Sequence, residues 1–251
     1  TTVSLFSRAE GSDESLTAHI GIVGVSPEGA ALFYQALTRH AGKLRAADAQ
    51  PRLSVHNEPL QMYIDAIRRD DWMSVGRLLR RSAELLARCG AQFCLTPDAA
   101  VQHGVQLAEV GSPIPWLTMT ELVGDAVARD GRKKVGLIGT DLVMNSSTFQ
   151  THLGLRGIKV LTPPAEQGRI INDIIFNELI YGRIKPESRS AVLMTLSELS
   201  ARGCEAVIIA SSEAPIMVSR ETSPIPLYEA AEILAEASIR HTLTEHEVSN
   251  T

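Results

Sequence analysis

Short apolar runs rich in β-branched residues alternate along this chain with longer stretches whose apolar residues recur every three or four positions. That is the pattern of buried strands alternating with amphipathic helices. Two runs stand out, Phe93-Cys94-Leu95-Thr96-Pro97-Asp98-Ala99-Ala100 and Ala206-Val207-Ile208-Ile209-Ala210-Ser211-Ser212-Glu213. Each ends in small residues, and each follows a helical pattern closed by a glycine, Gly90 or Gly203. A helix stopping, a buried parallel strand and a small-residue turn at its carboxyl end are expected at both places. Ligands bind at the carboxyl ends of strands in open α/β sheets. The two turns are therefore expected to face each other across one site.

The same pattern places the other elements. Residues 1–17 read as a loose polar tail. Ala18–Gly24 reads as the first strand, turning through Ser26 (N-cap) and Pro27 (first helical residue) into a helix over Ala30–His40. Residues 41–50 read as a loop and Pro51–His56 as a second strand. A helix to Ile67, a break at 69–71, a longer helix over Trp72–Arg88, the key strand 92–97, a helix over 100–109 and a strand over Ile114–Leu117 follow. The order then repeats: strands at 134–139 and 157–161, helices over Arg169–Tyr181 and Glu187–Ala201, the key strand 206–210, a strand at 225–227 and a last helix over Tyr228–Thr242. Gly136 repeats Gly21, Ser211 repeats Asp98 and Ile225 repeats Ile114, each a little over a hundred residues on. The expected fold is α/β, with two pseudo-symmetric domains, each a mainly parallel sheet flanked by helices, and the site at their interface. The expected division is 18–118 plus 226–245 for the first domain and 119–225 for the second, with tails at 1–17 and 246–251.

Composition narrows the functional classes. At 251 residues, 44% hydrophobic and 21% charged, the chain has material for sizeable cores. A net charge of −5 without a basic stripe argues against nucleic acid. No apolar run is long enough to span a bilayer, and the start lacks the basic-then-apolar pattern of a secretory signal. Cytoplasmic localisation is the expectation. Three dispersed cysteines, Cys89, Cys94 and Cys204, make no disulfide framework.

The turn Gly21-Ile22-Val23-Gly24-Val25-Ser26 lacks the third glycine and the distant acid of a dinucleotide fingerprint. It remains suited to an anion at a helix amino terminus, including a carboxylate. The seven histidines show no metal-ligand spacing apart from His241 and His246, so no metal and no cofactor are expected.

Over residues 18–242 the chain resembles the aspartate/glutamate racemase superfamily of cofactor-independent amino-acid racemases. The resemblance rests on Ile20–Glu28, Asp71–Ala91, Gly139-Thr140, the segment Ile174–Arg189, Glu213 and Ala235-Glu236-Ala237. It implies two pseudo-symmetric α/β domains, a homodimer, and proton transfer on both faces of a substrate Cα by two cysteines, each opening a turn after a strand. The Cα–H is a very weak acid, so such a site needs a desolvated base on each face and donors for the carboxylate.

This sequence departs from that pattern at both turns. Asp98 and Ser211 stand at the two cysteine positions, and Ala99 and Ala100 replace the asparagine and threonine of the first turn. The family histidine falls on Gln102, with His103 one step on. Cys94 lies within the strand, out of reach of the turn. The resemblance therefore implies Asp98 and Ser211 as the catalytic pair. Ser26, Asn57, Ala99, Ala100, Thr140, Ser212, Glu213, Arg45 and Arg169 are implied as substrate contacts. A carboxylate serves as a general base when burial raises its pKa, whereas a serine needs a base beside it. An alternative role for Asp98 is a helix N-cap. The expected function is a racemase-like isomerase working by acid/base proton transfer at Cα of a small acidic amino acid or related carboxylate. The alternatives are a decarboxylase, lyase or cyclase on the same fold needing one acid/base group, or a non-catalytic ligand-binding homologue.

Overall fold

The computed structural model describes residues 18–44 and 50–249. Arg45 and the expected tail 1–17 lie outside the described residues.

The first sheet has three parallel strands, β1 (His19–Gly24), β2 (Arg52–Asn57) and β3 (Phe93–Leu95), in the order β2-β1-β3. Between them run α1 (Pro27–Leu44), α2 (Leu60–Arg68) and α3 (Trp72–Arg88). A 3-10 turn over Ala99–Val101 leads from β3 to α4 (Gln102–Glu109), and α5 (Met119–Arg129) follows. The second sheet has four parallel strands, β4 (Lys134–Gly139), β5 (Lys159–Leu161), β6 (Ala206–Ala210) and β7 (Leu227–Glu229), in the order β5-β4-β6-β7. Its helices are α6 (Asp141–Asn145), α7 (Ser147–Gly154), α8 (Ala165–Asn177), α9 (Pro186–Ala201), the short α10 (Ala214–Met217) and α11 (Ala230–Ser249). A 3-10 turn covers Leu179–Tyr181.

The repeat seen in the sequence is a repeat of hydrogen bonds. Cys94 N–H donates to Pro115 O at 2.9 Å, and Val207 N–H donates to Pro226 O at 2.9 Å. Ser112 Oγ donates to Ile114 O and Ser223 Oγ to Ile225 O, both at 2.6 Å. The expected strand at 114–117 is reduced to a single parallel bridge, Cys94↔Trp116, beside a β3 that offers only three residues. Its counterpart in the second half, β7, is a full strand. Two expectations were too short: α1 begins at Pro27 and runs to Leu44, and the last helix runs to Ser249, past 246. The helices α5, α6 and α7 were not expected. For α5 the pattern was present, since Met119, Leu122, Val123, Ala126 and Val127 fall on one helical stripe.

Strand alternation divides the core into three layers. Ile20 and Ile22 of β1, Leu137 of β4 and Ile208 of β6 point into one central core shared by both sheets, with α1, α5 and α11. Val207 and Ile209 face the opposite side, with α8 and α9. Val23 and Cys94 face a third cluster, with α2, α3 and α4. The last helix, α11, packs on α1 and α5, and α5 packs on α7.

Candidate functional site

The carboxyl ends of β3 and β6 open on one cavity of about 540 Å³. Asp98 stands one residue before the 3-10 turn, where its side chain makes no capping hydrogen bond. Its carboxylate reaches across to the end of β1 instead. Oδ2 accepts from Val25 N–H at 3.3 Å and Ser26 N–H at 3.2 Å. The N-cap role is thus excluded. The turn leading into α1 does hold an anion, as its sequence suggested, and that anion is the chain's own carboxylate. Gln102 braces this turn from behind, donating to Asp98 O at 3.2 Å and Thr96 O at 3.4 Å.

Ser26 has a second task. Its Oγ accepts from Gly29 N–H at 3.2 Å, which caps α1, and donates to Glu213 Oε1 at 2.6 Å. Glu213 Oε2 accepts from Ser211 Oγ at 2.9 Å and Ser212 Oγ at 3.1 Å. Although two residues apart on a turn, Ser211 and Glu213 do meet. Three hydroxyls thus converge on one carboxyl group. Ser26 therefore links the two turns, with Asp98 on one side and Glu213 on the other.

All five residues of this chain are buried. Burial, followed by the charge of Glu213, pushes the Asp98 pKa up to about 7, against the N–H groups of Ser26 and Val25 and the Ser212 hydroxyl, which pull it down. Cys94 is fully buried on the far face of its strand, where burial raises its pKa; it takes no part in the cavity.

Of the residues expected at the site, Ser26, Asp98, Ala99, Ala100, Thr140, Ser211, Ser212 and Glu213 line the cavity. Thr140 also caps α6, accepting from Val143 N–H at 3.4 Å. Asn57 does not line it, because parallel register sets it opposite Gly24 and its side chain fills the space that a Cβ on Gly24 would need. Arg169 lies outside as well. It shares the α8 stripe of Asn172, Asp173 and Phe176 but sits one turn nearer the helix start, beyond the cavity's edge, and is exposed. His103 faces a neighbouring cleft, where its ring meets Trp72 edge-on at 5.0 Å. Tyr63, Arg68, Asn172 and Asp173 line the cavity without having been expected. The signal for Arg68 was the apolar stripe Leu60, Ile64, Ile67 ending in the pair Arg68-Arg69. Among the described residues no cluster of three or more His, Cys, Asp or Glu is arranged to hold a metal.

The join between α1 and the β6 turn is tight. A Cβ on Gly29 would stand 2.2 Å from Ser212 Oγ and 2.6 Å from Ser212 Cβ. Gly29→Ala is therefore expected to cost about 1–3 kcal/mol by overpacking, visible as a lowered melting temperature. An unchanged melting temperature would show that the join is loose.

Several solved structures share this fold. An Asp/Glu racemase-like protein from Yersinia pestis aligns with a TM-score of 0.80 at 22% identity, over 90% of this chain and 99% of that one. An aspartate racemase homologue from Pyrococcus horikoshii OT3 aligns at 0.77 and 21%, over 90% and 99%. The aspartate racemase of Picrophilus torridus aligns at 0.75 and 18%, over 93% and 100%. The sequence profile of the Asp/Glu/Hydantoin racemase family matches residues 22–238. With that match over most of its length, the chain belongs to the Asp/Glu/Hydantoin racemase family.

Proposed function

We propose that this protein is a racemase-like isomerase that moves a proton at the Cα of an amino acid by side-chain acid/base chemistry. The observation that carries this reading is the chain of hydrogen bonds Asp98–Ser26–Glu213–Ser211 along one cavity wall. Asp98 is the base. Its raised pKa makes it a stronger acceptor than an exposed aspartate and keeps it poised near neutrality. Ser211 is the hydroxyl of the second turn, and Glu213 beside it is the acceptor that an unaided serine lacks. The substrate carboxylate is received by N–H groups of the two small-residue turns, at Ala99–Ala100 and Ser212. The molecule works as a homodimer, as the family resemblance implies.

The test is Cα–H exchange in deuterated buffer, followed by NMR over a panel of amino acids of both hands. Loss of the Cα–H signal with recovery of both enantiomers is expected. Loss of carbon dioxide or ammonia instead would move the protein to the single-base alternative, and no exchange with any member would sink the reading. Ser211→Cys is expected to raise the exchange rate, since a thiol donates and accepts a proton more readily than a hydroxyl. An unchanged or lower rate in this variant would remove Ser211 from the proton path.

A further inference from the structure

The walls of the cavity speak to the side chain of the substrate, on the reading that the site takes an amino acid. Its titratable lining is lopsided. Asp98, Glu213 and Asp173 are acidic, and Arg68 is the one cation among the described lining residues. Arg68 is the last residue of α2 and is exposed at the rim. The N–H groups of Val25 and Ser26 are already taken by Asp98. An α-carboxylate can use the turn N–H groups, but among the described lining residues there is no buried cation for a second carboxylate. Placing one against buried Asp98 and Glu213 would put like charges together in a poorly solvated space.

Part of the wall is apolar. Ile64 and Ile67 of α2, Phe176 of α8 and Ile180 line it, interrupted by Asn172 and Asn177. At about 540 Å³ the space also exceeds what an aspartate side chain would fill. Apolar wall favours a ligand that removes it from water.

We infer that the substrate is a neutral amino acid with a large apolar side chain, held between α2 and α8, and that acidic amino acids are discriminated against. Arg68 is a rim residue that closes α2 and does not read a side-chain carboxylate.

Isothermal titration calorimetry of the full chain with L- and D-forms of leucine, methionine, phenylalanine, aspartate and glutamate tests this. Leucine, methionine or phenylalanine is expected to bind at least about 10-fold tighter than aspartate or glutamate. Phe176→Ala is expected to weaken the apolar ligands about 10-fold and leave the acidic ones unchanged. Arg68→Gln is expected to change leucine and phenylalanine affinity by less than about two-fold. Aspartate or glutamate binding as tightly as the apolar set, with the affinity lost in Arg68→Gln, would overturn the inference. Silence of the whole apolar set would overturn it too. Since the readout is binding, tight phenylalanine binding in a protein inert toward Cα–H would support this inference while sinking the proton-transfer reading.

Discussion

Asp98→Asn is expected to slow Cα–H exchange by at least about 100-fold, the low end for removal of a general base. Asparagine keeps the shape of the side chain, and its amide oxygen can still accept from Val25 and Ser26, so the turn is preserved while the base is lost. The pH profile is the second half of this test. Exchange on the wild type depends on the ionised carboxylate, so its rate is expected to rise with pH and level off above about 7, where Asp98 has given up its proton. A profile already flat from pH 5 upward would show a carboxylate of ordinary pKa. An exchange rate in Asp98→Asn equal to wild type would leave Asp98 a purely structural group.

The same substitution is expected to make the protein more stable at about pH 8, by a few kcal/mol, and to make little difference near pH 4. The sign follows from the proton. Asp98 binds its proton more tightly folded, near 7, than unfolded, near 3.8. In the wild type the folded state therefore holds the extra proton between these values, and stability falls as pH rises through that window, by at most about 1.4 kcal/mol per pH unit. Above 7 the full cost of a buried negative charge beside Glu213 is present; below 4 it is absent. Asparagine carries no charge at either pH. Thermal melts at both pH values check this, and a gap of the same size at both would show that Asp98 ionises freely in the folded protein.

Much of the fold could be read from the chain. The strands at 19–24, 134–139 and 206–210 and the helix 72–88 follow from β-branched runs, helical stripes and closing glycines, signals local to each segment. The strand at 114–117 failed because pairing depends on partners. A three-residue neighbour leaves room for one bridge, and nothing within Ile114–Leu117 says so. The turns that line the cavity were legible, since Asp98 comes three residues after the end of β3 and Ser211 directly after β6. Asn57 and Arg169 were not placed correctly, because register and helix length decide which end of an element meets a cavity. The contact of Ser26 with Glu213 joins residues 187 apart in sequence, and no local pattern announces it.

The packing of α11 on α1 sets the timetable of synthesis. Among the described residues the first helix finds its partner in the last one, so the central core cannot close while the ribosome is still making the second sheet. Until then the apolar face of α1, with Phe33, Ala36 and Leu37, waits without the helix that covers it. Contacts of such long sequence separation slow folding, and they make the final step one in which both halves lock together. A nascent chain stopped short of Ala230 lacks the helix that covers that face.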